Sequence, residues 1–96
     1  MTFDQLVTIT IRPGMAAEFE AAAGKLAAGA KASEPGTLDY RLFRVRGKAD
    51  TYMFIESYAN EAALDLHRTN PATQAHFKAV GACLAGRPVV EVIEPV

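Results

Sequence analysis

Two neighbouring segments carry apolar side chains on both parities, and this restricts the fold more than any other feature of the chain. In TLDYRLFRV, residues 37–45, Leu38, Tyr40 and Leu42 share one parity, and Phe43 and Val45 share the other. In TYMFIESY, residues 51–58, Tyr52, Phe54, Glu56 and Tyr58 share one parity, and Met53 and Ile55 the other. A strand with one face in water alternates between apolar and polar residues. These two strands therefore belong to a sheet that needs cover on both sides.

The rest of the chain supplies cover for one side. QLVTITIR, residues 5–12, alternates and is rich in β-branched residues, so it reads as a strand ended by Pro13-Gly14. Residues 15–32 read as a helix, with Met15, Phe19, Ala22, Leu26 and Ala30 at helical spacing. Gly24 and Gly29 weaken that helix unless a small-residue face lets it approach the sheet closely. Ser33-Glu34-Pro35-Gly36 stops it, because Pro disfavours a helical residue before it.

The spacing predicts strands at 37–46 and 51–58, joined by the turn Gly47-Lys48-Ala49-Asp50. Asn60 is placed to cap a short helix over 61–68. Asn70-Pro71 breaks that helix, and the proline suits the first turn of a next one. In 72–84, Thr73, Phe77, Val80 and Leu84 form one stripe, and VVEVIE, residues 89–94, is the last strand. The order β-α-β-β-α(α)-β predicts an α+β, ferredoxin-like antiparallel sheet with helices on one face, in a single domain over residues 1–96. Long side chains or a C-terminal segment could cover the second face, but only Pro95 and Val96 follow the last strand, so little cover from its own chain is expected. A monomer would expose a large apolar patch, and the simplest cover is a second copy, sheet against sheet, in a two-fold homodimer.

Charge narrows the function classes. A net charge of −1 and a pI near 6.1 lack the basic excess of a nucleic-acid or membrane-surface protein. Tyr52 and Phe54, two apart on a sheet, resemble base-stacking aromatics of RNA-binding domains. The usual basic-Gly-aromatic lead-in is missing, however, and Lys48-Ala49-Asp50 stands in its place. One cysteine, Cys83, excludes an internal disulfide. The N-terminus shows no signal-peptide pattern and no run has bilayer-spanning length, so a cytoplasmic, soluble protein is expected. Two histidines and one cysteine make no metal-ligand cluster, and no phosphate-loop pattern is present.

The candidate chemistry is sparse. His67, near the end of the short helix, is suited by residue type to proton transfer near neutrality. A histidine there is also favoured by the helix dipole alone. His76 lies beside the Phe77 stripe, at the surface or its boundary, and stands about 10 Å from Cys83, too far for a nucleophile pair. Glu56 lies among aromatics, where a carboxylate needs hydrogen bonds. It can hold a proton or orient a histidine, or it can be structural, bonded to backbone amides or to Arg41. Tyr40 and Tyr58 can donate to a substrate oxygen or serve as core aromatics.

Taken in order, Arg12-Pro13-Gly14, Met15-Ala16-Ala17-Glu18-Phe19, Glu34-Pro35-Gly36 leading to Tyr40, Glu56-Ser57-Tyr58, NEAALDLH at 60–67 and NPATQAHFKAV at 70–80 form a pattern. In this the chain resembles the antibiotic biosynthesis monooxygenase family of small dimeric α/β barrels, over nearly its whole length. The resemblance implies a dimer through facing sheets and a pocket between each sheet and its helices. It also implies oxidation of a small aromatic phenol or quinol by molecular oxygen, without a cofactor or a metal. His67, Tyr58 and Glu56 would be catalytic, and Tyr40, Phe54 and Phe77 would bind a small aromatic or quinone-like ligand. Relatives that only bind ligands, or that isomerise a sugar-derived carbonyl compound, are the alternatives. Tyr58 stands where many members carry Trp, Ala72 where a second histidine often follows the first, and Thr8 near an Asn of the haem-cleaving branch.

Overall fold

The computed structural model describes residues 1–96. Its elements are β1 (Phe3–Thr10), α1 (Ala16–Ser33), β2 (Thr37–Arg44), β3 (Thr51–Tyr58), α2 (Glu61–Thr69), α3 (Gln74–Ala82) and β4 (Val89–Ile93). The strands form one sheet in the order β2-β3-β1-β4, antiparallel throughout. This is the α+β ferredoxin-like arrangement that the element order predicts. No helix is long and apolar enough to cross a membrane.

Register places the side chains that matter. Tyr40 of β2 lies opposite Glu56 of β3, Glu56 opposite Gln5 of β1, and Gln5 opposite Val92 of β4. The next row on the same face is Leu42, Phe54, Val7 and Val90. Opposed residues stand close enough for their side chains to interact. A polar row thus lies beside an apolar row on the face under the helices.

α1 closes that face with Phe19, Ala22, Ala23, Leu26 and Ala30, all buried. Phe19 packs on Tyr52 with ring centroids 4.6 Å apart, and the Tyr52 hydroxyl donates to Glu20 Oε2 at 2.6 Å. Gly29 abuts Thr73, just before α3, rather than the sheet, and Gly24 has no close neighbour to justify it. α3 begins at Gln74, later than Pro71 suggests, because residues 71–73 form a turn.

β2 departs from simple alternation. Thr37 pairs with Tyr58 and Asp39 with Ser57, so Leu38 is an extra residue in a β-bulge. Parity therefore breaks there. Leu38 is 57% exposed, whereas Thr37 and Tyr40 are buried on the helix side. The expectation that Leu38 shares a face with Tyr40 is corrected by this bulge.

The opposite face carries no helix. Phe43, Met53, Thr8 and Val89 form one row across it, and Ile55 and Leu6 stand in the next. Phe43, Val89 and Ile93 are exposed.

Candidate functional site

Three local features converge on one carboxylate. The first is the end of α1, where Glu34 is the last residue before Pro35-Gly36. The turn after it runs so close to α2 that a Cβ on Gly36 would lie 2.6 Å from the Ala63 Cβ, which only glycine accommodates. The second is the β2 bulge, which turns Thr37 inward to donate to Glu34 Oε1 at 2.7 Å. The third is the end of α2. Asn70 precedes Pro71 and takes an extended conformation, and its Nδ2 donates to Glu34 Oε2 at 2.6 Å.

α2 brings His67 to the same carboxylate. Asn60 caps the helix, accepting from the Ala63 N–H at 2.9 Å. Ala63, Leu64 and His67 then fall on the buried face. His67 Nδ1 lies 2.7 Å from Glu34 Oε1, with both side chains almost fully enclosed. Burial by itself would raise the Glu34 carboxyl. The hydrogen bonds from Asn70, Thr37 and His67, together with the His67 charge, outweigh it and hold the group below its ordinary value. An ionised carboxylate only accepts, so Nδ1 carries the proton in this pair. In the neutral ring, Nε2 is then left with its lone pair.

The His67 ring sits among aromatics. Its centroid is 5.0 Å from Tyr40, 5.4 Å from Tyr58 and 5.0 Å, edge-on, from Phe77. On the sheet, Glu56 Oε1 accepts from Gln5 Nε2 at 2.9 Å and from the Tyr58 hydroxyl at 2.5 Å. Arg41 instead pairs with Asp39 at the surface, 2.9 Å away, so it does not hold Glu56.

A cavity of about 330 Å³ lies between sheet and helices, within the usual range for small-molecule sites. Tyr40, Phe54, Glu56, His67 and Phe77 all line it, with Gln5 beside Glu56. Three polar atoms on this wall, His67 Nε2, Glu56 Oε2 and the Tyr40 hydroxyl, have no hydrogen-bond partner in the protein. No side-chain polar atom of the chain is both sealed and unpaired, so these three open on the cavity. Burial, then the charges of Glu56 and Glu34, raise the Tyr40 hydroxyl well above its ordinary value and keep it a donor. Burial, then Glu56, does the same to Tyr58. Tyr58 is fully buried and does not line the cavity; it meets the wall from behind, through its bond to Glu56 and its ring against His67.

The residues expected from sequence are therefore gathered in one place, with Tyr58 set behind the wall. Sequence reasoning missed Glu34, Thr37, Asn70 and Gln5. Glu34 reads in sequence only as part of a helix stop, and it meets His67 across 33 positions. Gln5 could have been found from strand pairing, since the β1–β3 register sets it against Glu56. His76 is half-buried and not on the cavity wall.

The profile of the family described as "Antibiotic biosynthesis monooxygenase" matches residues 3–79. Among solved structures, a Caulobacter crescentus protein described as a candidate antibiotic biosynthesis monooxygenase is 37% identical. It superposes with a TM-score of 0.92 over 99% of this chain and 90% of its own. Rv0793 from Mycobacterium tuberculosis is 22% identical, with a TM-score of 0.87 over 100% of this chain and 96% of its own. SnoaB, a cofactor-independent oxygenase from Streptomyces nogalater seen as the N63A mutant, is 22% identical, with a TM-score of 0.82 over 98% of this chain and 92% of its own. At that identity the last two show likeness of fold alone. A comparison with functionally curated proteins returned no match.

Proposed function

The chain belongs to the antibiotic biosynthesis monooxygenase family, and from that premise we propose that it oxidises a small aromatic phenol or quinol with molecular oxygen, without a cofactor. One observation carries the reading. A histidine whose Nδ1 is held by a buried carboxylate turns its Nε2 into a largely apolar cavity that also holds an unpartnered tyrosine hydroxyl.

The mechanism starts with proton transfer. Nε2 takes the proton of the substrate hydroxyl, and Glu34 stabilises the imidazolium that forms. Glu34 is thus a positioning residue that acts through His67. The substrate anion passes one electron to oxygen, giving a substrate radical and superoxide. Their recombination forms a carbon–oxygen bond, and the proton on His67 completes a hydroperoxide. Loss of water then breaks the O–O bond and the adjacent C–H bond and leaves a quinone carbonyl. One oxygen atom ends in product and one in water. The Tyr40 hydroxyl donates to a substrate oxygen. Glu56, held by Gln5 and Tyr58, accepts from a second hydroxyl. Phe54 and Phe77 flank the ring, and the apolar wall keeps water from the anion.

The uncovered sheet face supports a homodimer, sheet against sheet, as the working form.

Oxygen uptake with a panel of naphthols and quinols tests the reading. Uptake in step with quinone formation is expected, and His67→Ala is expected to lose about a hundredfold or more. Saturable binding without uptake, indifferent to His67→Ala, would mean that the protein only binds its ligand. Turnover without oxygen consumption would mean isomerisation.

A further inference from the structure

Charge is unevenly distributed along the cavity wall. Its inner end carries Glu56, with Glu34 directly behind His67. The only Lys or Arg on the wall is Arg68, the residue after His67, in the last turn of α2. The Arg68 side chain is 60% exposed, which places it at the mouth rather than in the interior. Its nearest acid, Asp65, is 3.9 Å away and itself 68% exposed. That separation is beyond hydrogen-bonding distance, and so exposed a pair binds weakly. The planar donor fork of Arg68 is therefore available to a carboxylate.

We propose that Arg68 is a specificity-determining residue that reads a carboxylate on the substrate, at the end of the ring system opposite its hydroxyl. The natural ligand is then a hydroxyarene carboxylate. This deepens the reading of the cavity as a hydroxyarene site and rests on it. Orientation follows from charge. A carboxylate at the inner end would face Glu56 and Glu34, two like charges in an enclosed space. A hydroxyl there finds acceptors in His67 Nε2 and Glu56 Oε2, and a donor in Tyr40. Turned the other way, the hydroxyl wastes those partners and the carboxylate is repelled. The apolar middle, with Phe54, Leu64 and Phe77, suits the ring system between the two ends.

Two probes of nearly the same shape separate the possibilities: 2-naphthol, and 6-hydroxy-2-naphthoate with its carboxylate at the far end. Binding is measured by calorimetry without oxygen. The carboxylate is expected to bind about tenfold tighter than the naphthol, and rising salt should shrink that advantage. Arg68→Gln should abolish the advantage, leaving 2-naphthol affinity and the melting temperature unchanged, and Arg68→Lys should restore part of it. Equal binding of the two probes to the native chain, or an advantage that survives Arg68→Gln, overturns the role of Arg68 and leaves the hydroxyarene site standing. If neither probe binds, both the site and the inference fall.

Discussion

His67 Nδ1 lies 2.7 Å from Glu34 Oε1, and the two side chains are 3% and 6% exposed. Glu34 also accepts from Thr37 and Asn70, so it organises the meeting of α1, β2 and α2. Glu34→Ala should leave three donors without their acceptor and destabilise the fold by about 2–4 kcal/mol, measured by urea denaturation. Glu34→Gln keeps the shape but removes the charge. It should retain most of the stability and still lose about tenfold or more in oxygen uptake. Nitrogen NMR of the ring should show the proton on Nδ1 in the native chain, and a mixture of tautomers in Glu34→Gln. An unchanged tautomer in the variant would deny Glu34 its positioning role.

Acid should act on the same pair. The Glu34 carboxyl in the folded chain is held below its ordinary value of 4.5. A group with a depressed folded value contributes stability that is fully present above its unfolded value. That stability is lost as pH falls through the folded one. The denaturation midpoint of the native chain should therefore hold from neutral pH down to the ordinary value of 4.5 and drop as pH falls below it. Glu34→Gln should show a visibly flatter profile over the same range. Parallel profiles for the two chains would show that other acids govern the acid loss.

Tyr40, on the cavity wall, and Tyr58, behind it, should respond differently to loss of their hydroxyls. Tyr58 donates to buried Glu56, so Tyr58→Phe removes a partner from a carboxyl and should destabilise by about 1–2 kcal/mol. The Tyr40 hydroxyl has no partner in the protein. Tyr40→Phe should leave stability within about 0.5 kcal/mol and weaken kcat/KM by about tenfold. Thermal melts and oxygen uptake on both variants decide this, and a destabilised Tyr40→Phe would mean that the hydroxyl serves the fold.

Gly36 tests how closely the turn must approach α2. A Cβ there would lie 2.6 Å from the Ala63 Cβ. Gly36→Ala should cost about 1–3 kcal/mol, and adding Ala63→Gly should recover much of it. Equal melting temperatures for the single variant and the native chain would show that the turn can yield.

Periodicity made the layers legible. The Phe19-Ala22-Leu26 stripe, the Asn60 cap and the alternation of β1 all report local physics that a sequence carries directly. The residues facing the cavity were legible for a related reason, since Phe54 and Glu56 share a parity and Glu56 is out of place among aromatics. The bulge at Leu38 was not, because one extra residue in a strand leaves no mark on composition or spacing. Glu34 was hidden for the same reason twice over. Its helix-stop position explains it locally, and its real partners lie on β2 and α2, reached only once the bulge and the Asn70-Pro71 break have formed. Arg41 was a reasonable partner for Glu56, but it points to the surface, and the β1–β3 register gives that role to Gln5.

The face without helices leads to the last prediction. Phe43, Met53 and Val89 form a row, Ile55 and Leu6 stand beside it, and no element of the chain covers them. Apolar surface of this kind is stabilised by burial at roughly 25 cal/mol per Å². A second copy presents the same rows, so a two-fold axis through the face would set like against like. Sedimentation at micromolar concentration should give twice the chain mass of 10.3 kDa. Ile55→Glu places a charge at the middle of the face, on the side away from the cavity, so it should shift the protein to the single-chain mass without altering the helical circular dichroism. If the monomeric variant still bound 2-naphthol with native affinity, each cavity would be complete within one chain. A native chain that sediments as a single copy would sink the dimer, and some other cover would have to be found for Phe43 and Met53.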